Sequence, residues 1–171
     1  MKYDIIIIGA GLAGLSLTCA LGKAGLDVAV LERGAIKADT GDTRTTAISS
    51  GSRKILESTG IWDGTLEKQA CPIETIDILD GNTPVLLQFL KAEAGDHPFG
   101  WIVLNTDLRA QLLKQIKTLK NVTLIEKSQI EDFQVRDERA QAILSGGTTL
   151  DAALIIGADG RGSSLRDWMD V

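Results

Sequence analysis

Three glycines near the amino terminus have the spacing of a phosphate-binding loop. Gly9, Gly11 and Gly14 fit the pattern G-x-G-x-x-G, with Leu12 and Ala13 before the last of them. The first glycine permits a tight turn from strand to helix, the second lets a diphosphate approach the backbone, and the third lets the helix lie close to the strand. The helix start then offers N–H donors and about half a positive charge. The loop predicts a dinucleotide site.

An acidic residue follows the loop at the distance that a ribose requires. Glu32 lies 21 residues after Gly11 and can accept hydrogen bonds from the 2′- and 3′-hydroxyls of a ribose. A carboxylate there repels a 2′-phosphate, so we expect an adenosine without one. The motif does not distinguish NAD from FAD, and a purely structural glycine turn is the alternative.

The residues around the loop predict the strand–helix–strand unit that positions it. Residues 5–8 are a continuous run of isoleucine, which is typical of a parallel strand covered on both faces. A helix is expected over 15–24, ended by Gly25, because glycine adopts the left-handed conformation at no cost. A second apolar strand over 28–31 leads into Glu32.

The same apolar run invites comparison with a membrane span or a signal peptide. Residues 5–22 carry no charge, and this run of 18 residues is close to the length of a membrane span. However, the run contains four glycines, and Asp4 stands where a signal peptide would be positive. The run also changes from β-branched residues to Ala, Leu and Gly at helical spacing. We therefore expect a soluble domain.

Composition excludes several classes of protein. The chain has 171 residues, 44% hydrophobic and 24% charged, with a net charge of −5. These values exclude disordered and fibrous proteins, and the acidic balance argues against a nucleic-acid binder. The length predicts about one domain. Cys19 and Cys71 cannot form a disulfide framework and lack zinc-ligand spacing, so we expect reduced thiols and no metal site.

The remaining elements are short and mixed. Their expected bounds are a helix at 52–58 stopped by Gly60, strands at 73–79, 85–90 and 101–104, a helix at 106–119, and strands at 122–125, 133–135, 142–144 and 153–156. Residues 34–46 are polar and rich in turns. Asp80-Gly81-Asn82 predicts a hairpin turn. We expect 122–125 in the parallel sheet, 133–135 and 142–144 as an antiparallel pair, and 153–156 as a buried strand.

Two further motifs resemble a known family. Arg44 lies within Thr43-Arg44-Thr45-Thr46-Ala47-Ile48, and Ala158-Asp159-Gly160 follows the last strand, with Ser163 and Arg166 behind it. Together with the glycine loop, in this order, they resemble the FAD-dependent aromatic hydroxylases of the para-hydroxybenzoate hydroxylase type. The closest resemblance is to the ubiquinone-biosynthesis branch, and it covers nearly the whole chain.

The resemblance implies an α/β fold, a Rossmann-like FAD-binding parallel sheet with an inserted antiparallel sheet. The FAD-binding domain would comprise residues 1–72 and 105–171, and the insert 73–104 would be part of the substrate-domain sheet. Chains of this family are longer and carry a second flavin motif beyond position 171. The chain therefore resembles an N-terminal portion whose C-terminal half is missing.

The resemblance also implies a set of cofactor-binding residues. They are Gly9, Gly11, Leu12, Ala13, Gly14, Glu32, Arg33, Arg44, Arg109, Ala158, Asp159 and Gly160. Arg33 would lie along the adenine, Arg44 near the flavin and the diphosphate, and Arg109 near the adenosine. Asp159 and Gly160 would close over the FAD and serve NAD(P)H during reduction. The alternatives are a solvated loop arginine at 44, an exposed helix arginine at 109 and a plain turn at 159–160.

The implied function is that of an FAD-dependent monooxygenase. It would hydroxylate a polyprenylated phenol of ubiquinone biosynthesis with NAD(P)H and O₂, and the cofactor would carry the difficult chemistry. We therefore expect no catalytic side chain, and none at His97, the single histidine. A flavin reductase or dehydrogenase of the same fold and a non-catalytic FAD-binding fragment are the alternatives.

Partners and location follow from the same resemblance. The expected partners are an aromatic substrate and O₂, and no nucleic acid. The protein is expected in the cytoplasm, with peripheral membrane contact or a ubiquinone-pathway complex as further options. As given, the chain should bind the adenosine half of FAD better than the isoalloxazine half. Weak or no hydroxylase activity is expected from it alone.

Overall fold

A computed structural model describes residues 1–39, 41–81, 86–93, 95, 97–136 and 139–169. The strands are β1 (Lys2–Ile8), β2 (Val28–Leu31), β3 (Thr45–Ser49), β4 (Cys71–Ile73), β5 (Thr75–Ile78), β6 (Leu87–Leu90), β7 (Gly100–Leu104), β8 (Val122–Ile125), β9 (Ile130–Arg136), β10 (Arg139–Leu144) and β11 (Thr149–Gly157). The helices are α1 (Leu12–Lys23), α2 (Ser50–Thr59), α3 (Gly64–Gln69), α4 (Asn105–Ile116) and α5 (Ser164–Met169), with a 3₁₀ turn at Lys91–Glu93. The chain forms two units, one of Met1–Thr40 with Leu112–Val171 and the other of Gly41–Gln111.

A six-stranded sheet in the order β8-β2-β1-β11-β10-β9 forms the first unit. The first four strands are parallel, with β1 between β2 and β11. Ile6, Ile7 and the whole of β2 are buried, as expected for strands covered on both faces. The predicted parallel strands at 5–8, 28–31 and 122–125 are therefore confirmed.

Helix α1 connects β1 to β2. It begins at Leu12, three residues before the predicted start, and its C-cap is Ala24. Gly25 follows the cap with a φ of 90°, in the left-handed region. The prediction that glycine ends this helix is confirmed, with the glycine one position beyond the cap.

The predicted burial of strand 153–156 is wrong. The predicted antiparallel pair is confirmed, because β9 and β10 are antiparallel with Phe133 opposite Ala142. The strand at 153–156 lies within β11, which is parallel to β1. However, Ala153 and Leu154 are exposed, Leu154 by 52%. They border an apolar cavity of about 570 Å³ that Phe133 and Val135 also line. This stretch of β11 is therefore apolar, but no described element buries its side chains.

A three-stranded antiparallel sheet in the order β3-β7-β4 forms part of the second unit. Helices α2 and α3 pack beside it, and the Arg53 guanidinium lies over the rings of Trp101 and Trp62 at 4.2 and 5.0 Å. Arg53 also forms ion pairs with Glu57 and Glu67, each at 2.8 Å. Gly60 ends α2 with a φ of 81°, as predicted.

The predicted hairpin is present as the antiparallel pair β5 and β6. The predicted strand at 73–79 is two strands, because the chain breaks at Glu74 between β4 and β5. The turn residue Asn82 and the predicted strand start Val85 lie outside the described residues. Ile76 pairs with Phe89, and both are about two-fifths exposed.

β3 and α3 are among the elements that were not predicted. β3 begins within the segment expected to be turn-rich, and it forms because each of its residues pairs with β7, more than fifty positions away. α3 begins at an Asp63 cap, whose side chain accepts hydrogen bonds from the backbone N–H groups of Thr65 and Leu66. The predicted division into an FAD-binding domain (1–72 and 105–171) and an insert (73–104) is defined by cofactor binding. It therefore stays a prediction, separate from the two structural units.

Candidate nucleotide-binding site

A groove of about 260 Å³ opens at the carboxyl edge of the parallel strands. The residues that follow β1, β2 and β11 are Gly9, Glu32 and Ala158, and the parallel topology brings them to the same edge. The N–H of Gly9 donates to the carbonyl of Leu31 at 2.8 Å, and that of Ala158 donates to the carbonyl of Ile8 at 2.7 Å. The groove therefore begins where the sheet hydrogen bonding ends.

Two of the three loop glycines are required by the packing of the protein itself. A Cβ at Gly9 would lie 2.4 Å from the carbonyl oxygen of Ala158, and the φ of Gly9 is 107°. A Cβ at Gly14 would lie 2.0 Å from the carbonyl oxygen of Gly9. Strand, loop and helix thus meet backbone to backbone, which only glycine permits at these two positions.

Gly11 differs from the other two. Apart from its two neighbours along the chain, nothing lies within 4 Å of the position that its Cβ would occupy, and its φ of −73° is open to any residue. Gly11 is the N-cap of α1, and no described side chain caps this helix. The free space lies beside the positive end of the helix dipole, so the groove fits a diphosphate approaching the backbone.

Glu32 joins the two sides of the groove. Its Oε2 accepts the backbone N–H of Ala10 at 2.8 Å, and its Oε1 accepts that of Gly34 at 3.0 Å. The carboxylate thus ties the glycine loop to the end of β2. Each carboxylate oxygen has two acceptor sites, so Glu32 can also accept ribose hydroxyls.

The Asp159-Gly160 motif forms a turn that also begins a helix. Oδ2 of Asp159 accepts the backbone N–H of Ser164 at 3.0 Å, and Oγ of Ser163 accepts that of Arg166 at 3.2 Å. Gly160 has a φ of 82°. Asp159 therefore helps to cap α5 while it borders the groove.

The predicted site residues fall into three groups. Those that line the groove are Gly9, Gly11, Glu32, Arg33, Ala158, Asp159 and Gly160. Leu12 and Ala13 form the first turn of α1, and Gly14 packs against Gly9. Arg44 and Arg109 belong to the second unit, so their part in cofactor binding stays a prediction.

Sequence reasoning missed Ser128, Gln129 and Ile130, which also line the groove. They follow β8, and the N–H of Ser128 donates to the carbonyl of Glu32 at 3.0 Å. The available signal was the predicted parallel strand at 122–125, since its carboxyl end had to reach the same edge.

Arg44 is held by hydrogen bonds within the second unit. Its Nε donates to Oδ1 of Asp42 at 2.8 Å and its Nη2 donates to Oδ2 at 2.9 Å. Asn105 and Thr46 extend the network, because Nδ2 of Asn105 donates to Oδ2 of Asp42 and Thr46 donates to Oδ1 of Asn105. The hydrogen bonds that Arg44 and Asn105 donate hold the pKa of the Asp42 carboxyl well below its usual range.

Metal ligands, thiols and membrane-spanning helices add no further site among the described residues. No three or more His, Cys, Asp or Glu side chains in the described ranges gather as metal ligands. Burial raises the pKa of the Cys19 thiol to about 12, whereas Cys71 is exposed, and neither forms a disulfide. None of the described helices has the length and apolar character needed to cross a membrane.

Comparison with known proteins identifies the family. The FAD binding domain family matches residues 2–171. The chain belongs to this family. The match confirms the predicted FAD cofactor and agrees with the groove and its glycine loop.

Curated relatives include ubiquinone hydroxylases. UbiL from Rhodospirillum rubrum is 35% identical over 167 residues, which cover 96% of this chain and 38% of UbiL. The 3-demethoxyubiquinol 3-hydroxylase of Escherichia coli is 29% identical, covering 95% of this chain and 42% of that enzyme. The chain thus spans about two-fifths of the length of these relatives.

Solved structures agree on the fold. The p-nitrophenol 4-monooxygenase PnpA from Pseudomonas putida is 21% identical with a TM-score of 0.79, covering 96% of this chain and 43% of PnpA. The flavin-dependent monooxygenase PieE, solved with FAD and substrate, is 17% identical with a TM-score of 0.78, covering 99% of this chain and 32% of PieE. The predicted α/β fold of the para-hydroxybenzoate hydroxylase type is confirmed.

Substitution of Gly14, which is packed against backbone, and of Gly11, which has free space, should affect different properties of the protein. Gly14→Ala should lower the free energy of unfolding by about 1–3 kcal/mol, because the new Cβ meets a carbonyl oxygen. Gly11→Ser should change it by less than about 1 kcal/mol, because serine is a favourable N-cap and has room. The same Gly11→Ser change should weaken FAD binding, because the side chain enters the groove. Urea unfolding and FAD titration measure both. Equal destabilisation by the two variants would contradict the assignment.

Glu32 should also stabilise the protein without any nucleotide. Glu32→Gln leaves one oxygen acceptor for two backbone N–H groups, so we expect the free energy of unfolding to fall by about 1–2 kcal/mol. Glu126→Gln is the matched control, because Glu126 is exposed and accepts one N–H, from Ile36 at 2.8 Å. The control should lose less than about 0.5 kcal/mol. Similar losses in nucleotide-free urea unfolding would show that Glu32 does not hold the loop.

Proposed function

We propose that this chain is the FAD-binding portion of a flavin-dependent monooxygenase of ubiquinone biosynthesis. The substrate is a polyprenylated phenol, and NAD(P)H and O₂ are the co-substrates. The observation that carries the proposal is the free space at Gly11 beside Glu32, in a chain 35% identical to a ubiquinone hydroxylase. In this proposal residues 1–72 and 105–171 bind FAD, and 73–104 form part of the substrate sheet.

The groove residues hold the cofactor by complementary charge and shape. The diphosphate lies at the start of α1, where Gly11, Leu12 and Ala13 present backbone N–H groups. Glu32 accepts the ribose hydroxyls, and its charge disfavours a 2′-phosphate. When bound, the flavin supplies the redox and oxygen chemistry, while the protein supplies position and electrostatics.

The other predicted site residues complete the proposal. Arg33 is exposed at the rim of the groove and extends along the adenine. Arg44 and Arg109 contribute positive charge toward the flavin–diphosphate and adenosine ends, respectively. Asp159 and Gly160 close over the FAD and take part when NAD(P)H reduces it.

The hairpin of β5 and β6 supports an apolar aromatic substrate. Its register places Ile76 opposite Phe89 and Ile78 opposite Leu87, so these four side chains share one face. Each is 40–48% exposed. The other face carries the hydrogen bond from Gln88 to Asp77. An apolar face of this kind suits a lipophilic ring and tail.

We infer a cytoplasmic protein, with peripheral membrane contact or a ubiquinone-pathway complex as the wider setting. These inferences depend on the lipophilic substrate class. Because the chain spans about two-fifths of its relatives, the second candidate is an FAD-binding module with weak or no hydroxylase activity on its own.

Competition between nucleotides tests which part of FAD the chain holds. ADP should displace FAD from the chain, because the diphosphate and the adenosine ribose provide the groove contacts. ADP carrying a 2′-phosphate should compete at least about tenfold less well, because Glu32 repels it. FMN should not compete at equal concentration. Flavin fluorescence follows the displacement. Displacement of FAD by FMN but not by ADP would contradict the proposal.

A further inference from the structure

Strand β9 forms one edge of the six-stranded sheet. It pairs with β10 on one side, and no described strand lies on its other side. The register with β10 shifts between Asp132 and Ile130, so Glu131 has no residue opposite it. The regular part of this strand is therefore the five-residue segment 132–136, here called the β9 edge. The β9 edge contains no proline or lysine, two residues that commonly protect an edge strand from a further strand.

The β9 edge has one polar and one apolar face. Successive side chains of a strand point to opposite faces, so Asp132, Gln134 and Arg136 share one of them. Nη2 of Arg136 donates to Oε1 of Gln134 at 2.6 Å along this polar face. Phe133 and Val135 share the other face, and both line the apolar cavity of about 570 Å³. Val135 is 70% exposed, so the apolar face is open at the edge of the sheet.

The charge of Arg136 is poorly matched by its neighbour in the sheet. The register places Arg136 opposite Arg139 of β10, and like charges directly opposite each other destabilise a strand pair. Nη2 of Arg139 donates to the carbonyl of Tyr3 at 3.0 Å, whereas Arg136 donates to the neutral amide of Gln134. A carboxylate on the open side of β9 would balance the two positive charges.

The β9 edge is complementary to a second copy of itself. Two copies that run antiparallel about a two-fold axis at Gln134 place Asp132 of each opposite Arg136 of the other. The same register places Phe133 of each copy opposite Val135 of the other. A shift by one residue would set Asp132 opposite Val135 and mix the polar with the apolar face. A shift by two residues would separate Asp132 from Arg136, so a single register satisfies both faces.

We propose that the β9 edge is an interaction surface for a second copy of this chain, with the two β9 strands paired antiparallel about Gln134. In the free chain the N–H of Phe133 donates to Oδ1 of Asp132 at 2.8 Å. A carbonyl of the second strand takes this donor, and the released carboxylate pairs with Arg136 of the other copy. Val135 of each copy covers Phe133 of the other. The inference is independent of the proposed function, because no cofactor takes part.

The small size of the surface sets the expected strength of the dimer. Five paired residues on each side are fewer than the roughly 20–30 of a standard interface. The ion pairs are exposed, because Asp132 and Arg136 are both exposed in the single chain, and such pairs contribute little. We therefore expect a reversible dimer with a Kd of about 10–100 µM.

Sedimentation velocity of the 171-residue chain, with charge-swap variants, tests the proposal. The apparent mass should rise from 18.3 kDa toward twice that value between about 5 and 300 µM. Asp132→Arg and Arg136→Asp should each raise the Kd at least about tenfold, because like charges then face each other twice. The double variant should return the Kd to within about threefold of wild type, because both pairs form again with reversed sign.

Asp27→Arg is the matched control, since it reverses an exposed carboxylate directly before β2, away from the β9 edge. It should leave the Kd unchanged. Urea unfolding of every variant should match the wild type within about 0.5 kcal/mol, because the substituted side chains are exposed. This measurement separates loss of the dimer from loss of the fold.

Each outcome decides the proposal. A wild-type chain that stays monomeric at about 300 µM overturns it, and the apolar face is then open to a different occupant. A dimer that both single variants leave intact uses another surface, which also overturns it. If the single variants weaken the dimer and the double variant does not restore it, Asp132 and Arg136 do not face each other and the proposed pairing is wrong. A chain that dimerises as expected but does not bind FAD contradicts the proposed function alone.

Discussion

The site depends on a contact between backbones at the carboxyl edge of the sheet. Gly9 lies against Ala158, and Gly14 lies against Gly9, at separations that leave no room for a Cβ. This contact sets the distance between β1, β11 and α1 at the point where all three meet. The start of α1 can therefore lie beside the residues that follow β2 and β11. A larger side chain at either glycine would move the helix start, and the groove would lose its geometry.

Two residues then give the groove its chemical character. Gly11 contributes empty space next to helical N–H groups, which suits an anion. Glu32 contributes a negative charge whose oxygens already hold the loop and the end of β2. The helix start and the carboxylate border the same groove, so the proposed ligand is a diphosphate whose ribose carries no 2′-phosphate. The family match to FAD-binding domains agrees with this chemistry.

Short sequence patterns predicted the elements and site residues that depend on neighbouring positions in the chain. The isoleucine run, the glycine spacing and the acidic residue after β2 predicted β1, β2 and three residues of the groove lining, Gly9, Gly11 and Glu32, and the family resemblance added Arg33 and residues 158–160. Long-range pairing produced the differences. β3 depends on β7, and Asn105 reaches Asp42 from 63 positions away, which no local pattern records. Ala153 and Leu154 were predicted to be buried because they are apolar. Apolar composition alone does not show whether another element covers a strand. Ser128 to Ile130 reach the groove through strand order alone.

Backbone amide shifts during titration of the ¹⁵N-labelled chain with FAD test the central claim most directly. The account predicts that the amide signals of Gly11, Leu12, Ala13 and Gly34 shift with a common saturation curve, because the diphosphate approaches the helix start and the ribose engages Glu32. Saturating shifts confined to other parts of the chain, with these four signals unchanged, would contradict it.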